Sequence, residues 1–160
     1  MRRVLAFASV VVTLAAWASP AQAARADLTV YRVRSFVYGQ PSTTVPDQAP
    51  VIFKAFARNK GPGTSNMTVS YSNTRNLHVR RETCIVPASE TGDFSNVSAD
   101  TPSCEWIDVP EGDYAVVRVK AYAVGNPGQR VRITFCVSNT VGDDADPTND
   151  CKTARLTISG

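Results

Sequence analysis

Asp113-Tyr114-Ala115-Val116-Val117-Arg118-Val119-Lys120-Ala121-Tyr122-Ala123 is the stretch whose reading decides the fold. Ala115, Val117, Val119 and Ala121 occupy every second position. Val116, Arg118, Lys120 and Tyr122 alternate with them. A repeat of two places the small apolar residues on one side of an extended chain and the basic and aromatic residues on the other. This predicts a β-strand with one buried face, entered through the turn Pro110-Glu111-Gly112-Asp113.

Outward from this strand, the same period recurs. Val51, Phe53, Ala55 and Ala57 alternate with Ile52, Lys54, Phe56 and Arg58. Val131, Ile133, Phe135 and Val137 alternate with Arg130, Arg132, Thr134 and Cys136. Ala154, Leu156 and Ile158 alternate with Thr153, Arg155 and Thr157. Shorter strands are predicted at Leu28–Val33, Met67–Ser72, Leu77–Val86 and Cys104–Val109. Gly61-Pro62-Gly63 and Asn126-Pro127-Gly128 are turns, since Pro holds φ and Gly admits positive φ. Pro87–Pro102 is rich in Ser, Thr, Asp and Asn and reads as a long surface loop. Seven to eight short antiparallel strands with such turns predict an all-β sandwich.

The N-terminus predicts export. Met1-Arg2-Arg3 is followed by an uncharged run from Val4 to Trp17 and by Ala21-Gln22-Ala23. Basic start, apolar run and small-residue site are the parts of a secretory signal peptide, residues 1–23. The run is shorter than the roughly 20 residues a spanning helix needs. The expected mature part, residues 24–160, fits a single domain, secreted or periplasmic, with no membrane span.

Four cysteines, Cys84, Cys104, Cys136 and Cys151, all fall in that part. An exported chain with an even number favours disulfides. A zinc site is disfavoured by the lack of C-x-x-C spacing and by a single histidine, His78. Four cysteines allow three connectivities. If the Val131–Val137 and Thr153–Ile158 strands are antiparallel neighbours, Cys136 and Cys151 share an outer face and can meet. Cys84–Cys104 would then close the polar loop, with the sulfurs outside the apolar interior. Each closure stabilises by about 3 kcal/mol in the chain-entropy model. No Cys lies in the Val51–Asn59 strand for the inter-sheet bridge of antibody domains.

Charge excludes one function class. The chain has 17 basic and 14 acidic residues; without Arg2 and Arg3 the balance is 15 to 14, about +1. A nucleic-acid binder ordinarily shows a strong basic excess. Catalysis finds no support either. His78 sits among Val79, Arg80 and Arg81 without a nucleophile pattern, and Glu82, Glu90, Glu105 and Glu111 show no acid–base spacing. The expectation is no enzyme and no cofactor. Asp143, Asp144, Asp146, Asn149 and Asp150 form an acidic loop that is a weak calcium candidate. Its spacing is not that of an EF-hand, and a turn braced by Asp and Asn side chains explains it better. Asn66-Met67-Thr68 and Asn96-Val97-Ser98 match the glycosylation sequon by chance in a chain that reads as bacterial.

The stronger candidate is a binding patch. Ile52, Lys54, Phe56 and Arg58 lie on the outer side of one strand. Tyr114, Val116, Arg118, Lys120 and Tyr122 lie on the outer side of another. If these strands are neighbours, aromatic and basic side chains interleave on one surface that would suit a cell-wall polymer or a surface protein.

Several segments occur together in a familiar order. Ala26-Asp27-Leu28 opens the domain and Ala57-Arg58-Asn59-Lys60-Gly61-Pro62 ends the second strand. Val109-Pro110-Glu111-Gly112-Asp113 leads into the deciding stretch, and Val137-Ser138-Asn139 precedes Asp146-Pro147-Thr148-Asn149-Asp150. This order resembles the bacterial surface-repeat family called domain of unknown function eleven. More loosely, it resembles the cell-adhesion-related domain of bacteria. The resemblance covers Ala26 to Ser159. It implies an immunoglobulin-like building block outside the cell, without catalysis; the single copy and the Cys136, Cys151 pair depart from the family's pattern. The expected function is a secreted, non-enzymatic module for cell-surface binding or structure. The alternative is a small-ligand carrier or protease inhibitor presenting the 87–102 loop.

Overall fold

The computed structural model describes residues 26–86, 95–98, 103–139, 144 and 146–160. The predicted signal peptide (residues 1–23), most of the 87–102 segment and Asp143 lie outside them. The described residues form eleven strands and a short 3-10 turn, Pro147–Asn149: β1 (Leu28–Val37), β2 (Gln40–Pro41), β3 (Thr44–Pro46), β4 (Pro50–Asn59), β5 (Ser65–Asn73), β6 (Leu77–Ile85), β7 (Ser95–Ser98), β8 (Ser103–Val109), β9 (Tyr114–Ala123), β10 (Arg130–Asn139) and β11 (Cys151–Ser159). One sheet has the order β2-β1-β4-β9-β6 and the other β3-β11-β10-β5-β8-β7. Pairing is antiparallel except between β3 and β11. The molecule is an immunoglobulin-like sandwich.

All eight predicted strands are present, four of them read from alternation, and three short ones join them. One of these, β7, falls inside the segment read as a loop and pairs with β8. Its four residues are too few to show a period.

The alternation closes the core as predicted. Val51, Phe53, Ala55 and Ala57 of β4 lie opposite Ala121, Val119, Val117 and Ala115 of β9, and all eight are buried. Met67 and Val69, Trp106, Ile133 and Phe135, and Leu156 and Ile158 come from the facing sheet and are equally buried. Removing each large side chain from water stabilises the fold by roughly 1.5–3 kcal/mol.

In the β2-β1-β4-β9-β6 sheet, two β-bulges interrupt the alternation. In β1 the register with β4 shifts between Val30 and Arg32. In β6 the register with β9 shifts between Val79 and Arg81. An inserted residue exchanges the two faces for the rest of a strand. Leu77 and Val79 pair with Ala123 and Ala121 on the inner side; past the bulge, Glu82 and Cys84 pair with the inner residues Val119 and Val117.

Both predicted disulfides are present, Cys84–Cys104 and Cys136–Cys151. Cys136 and Cys151 are directly opposite across β10 and β11, on the side away from the core. The other bridge corrects the expectation that the sulfurs lie outside the interior. Cys104 is fully buried, and the bond joins β6 of one sheet to β8 of the other. The β6 bulge turns Cys84 inward and makes this crossing reachable.

At one end of the sandwich, buried Asn59 ties three segments. Its Nδ2 donates to the Gly63 and Val109 carbonyls, each at 2.9 Å, and its Oδ1 accepts from Gly61 N. The adjoining Pro110–Asp113 turn holds Gly112 at φ +85°, a conformation glycine accepts without strain. Arg58 Nε donates to the Gly112 carbonyl at 2.8 Å, which anchors one corner of the outer face.

Candidate functional site

β4 and β9 are neighbours, so the condition for a shared patch is met. Ile52 faces Lys120, Lys54 faces Arg118, Phe56 faces Val116 and Arg58 faces Tyr114, while Tyr122 lies opposite Pro50. The structure therefore brings all nine predicted residues onto one surface. Val116 is itself buried there, at 7% exposure, and lies under its neighbours.

The patch is wider than the sequence reading made it. β1 adds Arg32, Arg34 and Phe36, opposite Phe56, Lys54 and Ile52. β6 adds His78 opposite Tyr122 and Arg81 opposite Lys120, with Arg80 at the bulge. Eight of the chain's Lys and Arg residues thus gather on one sheet: Arg32, Arg34, Lys54, Arg58, Arg80, Arg81, Arg118 and Lys120. None of the paired outward positions on β1, β4, β9 and β6 holds an Asp or Glu. Arg34, Lys54 and Arg118 stand in a single row across three strands. Like charges directly opposite in a ladder are destabilising.

Rings hold this surface together. Tyr31, Phe56 and Tyr114 form a strip with centroids 6.0 and 6.3 Å apart. Burial, and next the neighbouring Tyr114, push the Tyr31 phenol above its ordinary pKa. Lys54 Nζ lies 5.4 Å over the Phe36 ring, and the Arg80 guanidinium lies 4.7 Å over Tyr122. His78 stacks on Tyr122 with centroids 5.0 Å apart. His78 is exposed, as expected from its strand position. A depression lined by Gln48, Pro50, Ile52, Arg80, Lys120 and Tyr122 opens at this end.

The missing residues had a readable signal that the bulges concealed. Continued from Leu28 and Val30, strict alternation puts Arg32 and Arg34 inside. Continued from Leu77 and Val79, it likewise puts Arg81 inside. The inserted residues reverse both.

Other candidates assemble differently. In the acidic loop, Asp144 accepts from Leu28 N and Asp146 N, and Asp146 accepts from the Thr148 backbone and hydroxyl. Asn149 Nδ2 donates to Asp27 and Asp146. These are braces of a turn. Burial, followed by the nearby Asp144, Asp146 and Asp27 carboxylates, pushes Asp150 up to about 6. Among the described residues, Glu82, Cys84 and Cys104 are the grouping with three donor atoms close enough for a metal. Both sulfurs are committed to the disulfide. Glu82 instead bonds to Tyr71 beside that bridge; burial raises the Glu82 carboxyl and, with Glu82, pushes the Tyr71 phenol up to about 12. No helix among the described residues is long and apolar enough to cross a membrane.

No protein-family model and no curated protein sequence matches the chain. Solved structures do. The CARDB domain of a Pyrococcus furiosus protein, solved in complex with di-metal ions, is 12% identical with a TM-score of 0.50; the match covers 85% of this chain and 96% of that one. AvmM, which catalyzes macrocyclization in alchivemycin A biosynthesis, is 11% identical with a TM-score of 0.43, covering 81% and 88% of the two chains. The collagen-binding domain from a Staphylococcus aureus adhesin is 8% identical with a TM-score of 0.42, covering 80% and 97%. What the first of these likenesses shows is the fold: this chain shares the immunoglobulin-like sandwich of a CARDB domain.

Proposed function

We propose that this protein is an exported, non-catalytic immunoglobulin-like module that binds material at a cell surface through the outer face of its β2-β1-β4-β9-β6 sheet. One observation carries the reading: eight cationic side chains interleave with aromatic rings on that face, and no carboxylate occupies its paired positions. An unopposed charge array weakens the sheet, so a partner that neutralises it is the physical rationale for keeping it. The CARDB-like fold and the motif order resembling domain of unknown function eleven support the same role. The disulfides support an oxidising location. Absence of catalysis is part of the proposal, since His78 is engaged with a tyrosine ring in place of a nucleophile.

The test is retention of cell-surface polymer fractions on the immobilised protein. A variant carrying Lys54→Ser, Arg58→Ser and Lys120→Ser is expected to retain several-fold less. Equal retention by the variant would remove the face from the proposal. A second reading, inhibition of a protease by the 87–102 segment, draws on the Cys84–Cys104 bridge that encloses it. It predicts stoichiometric inhibition within a protease panel.

A further inference from the structure

We infer that the occupant of this face is an acidic polysaccharide, a chain carrying sulfate or carboxylate groups, laid across β1, β4 and β9. The inference rests on the proposed binding role of the face and names the chemistry of its partner.

The charge geometry comes first. Arg34, Lys54 and Arg118 succeed one another across three strands, and Lys120 and Arg81 do so across two. Adjacent strands lie about 4.8 Å apart, and successive outward positions along a strand lie about 6.7 Å apart. The face thus carries a two-dimensional array of positive charge, which a chain bearing an anion on each repeat can meet at several points. The two arginines of the longer row, Arg34 and Arg118, have planar guanidinium forks that can pair bidentately with a sulfate or carboxylate.

The rings then separate a glycan from a nucleic acid. Single-stranded nucleic acids are gripped by bases stacking on free aromatic faces. Here Tyr122 carries both His78 and Arg80, Phe36 lies under Lys54, and Phe56 sits between Tyr31 and Tyr114. The rings prop up cations and one another, leaving charge as what the surface offers. A membrane surface fits less well, because the exposed large apolar residues, Tyr38, Val86, Ile107 and Val124, lie outside the paired positions of this face.

The experiment uses the oxidised protein and four probes: dextran sulfate, polygalacturonate, neutral dextran and an oligo-dT strand. Binding of dextran sulfate, polygalacturonate or both is expected, and which of them binds distinguishes sulfate from carboxylate. Affinity should fall about tenfold or more between about 50 and about 200 mM salt, as bound cations are released from the polymer. The triple variant Arg34→Thr, Lys54→Thr, Arg118→Thr should lose at least about tenfold in affinity with an unchanged or higher Tm, because cross-strand repulsion is relieved. Arg130→Thr, Arg132→Thr, Arg155→Thr changes the net charge equally on the opposite sheet, where all three are exposed. It should bind like wild type. Equal binding of neutral dextran, tighter binding of oligo-dT, or equal losses in the two triple variants would overturn the inference. Face-dependent retention of surface material without binding of either acidic chain would overturn it alone and leave the proposed function standing.

Discussion

Single residues carry identifiable shares of stability. Asn59 is buried with both ends of its amide in use. Asn59→Ala strands two carbonyls and one N–H away from water, and a loss on the order of 2–4 kcal/mol is expected in urea unfolding. Tyr38 presents the opposite case. It is 72% exposed at φ +49°, in the two-residue turn with Gly39 that joins β1 and β2. Both central residues of such a turn have positive φ, and Asn is far better suited to the first than tyrosine. Tyr38→Asn should therefore stabilise by about 1 kcal/mol in the same assay. Asp150, pushed up to about 6, holds its proton more tightly in the folded chain than in the unfolded one, whose value is near 4. Its ionisation thus costs stability in full above its folded pKa, and that cost vanishes on acidification below its unfolded value. Asp150→Asn should raise Tm at neutral pH and leave it unchanged near pH 4, so a Tm difference independent of pH would refute the assignment.

At the scale of elements, the central strands were legible and the modulated ones were not. β4 and β9 run without interruption, so parity read from Val51 or Ala115 reaches their far ends with the faces correct. β1 and β6 each contain an inserted residue, and one insertion suffices to hide Arg32, Arg34 and Arg81 from the patch. The same blindness affected the disulfides differently. Cys136 and Cys151 sit in unbulged strands, where parity located them on the outer face. Cys84 lies past a bulge, and its inward direction was out of reach of alternation alone. Deleting Arg80 should undo that reversal, since Leu77 and Val79 are held by their inner partners. Cys84 would then face solvent while Cys104 stays buried, and two thiols are expected to titrate in the variant against none in the wild type. β7 and the links across the acidic loop depend on contacts between distant segments, such as Leu28 N with Asp144, which no local pattern announces.

Over the whole molecule, a near balance of 17 basic and 14 acidic residues conceals strong polarity. The small net charge speaks against a nucleic-acid partner; the fold nevertheless sorts eight cations onto one face. A sum over residues carries no information about direction, and direction is what a partner meets. Self-repulsion on that face should be screened by salt, because the screening length falls from about 10 Å at 0.1 M to about 3 Å at 1 M. Tm should accordingly rise with added sodium chloride, and rise less in Lys54→Thr. Identical salt slopes for the two proteins would count against repulsion within the row.

The two covalent bridges also govern how the protein responds to tension. Pulled from its two ends, the unfolded chain cannot draw out the segments enclosed by Cys84–Cys104 and Cys136–Cys151, which span 20 and 15 residues. At up to about 3.3–3.6 Å per residue, roughly 120 Å of contour stays hidden until a reductant is added. A module tethering a cell to its surroundings would accordingly yield a shorter length under load in an oxidising medium, and single-molecule stretching before and after reduction would read that difference directly.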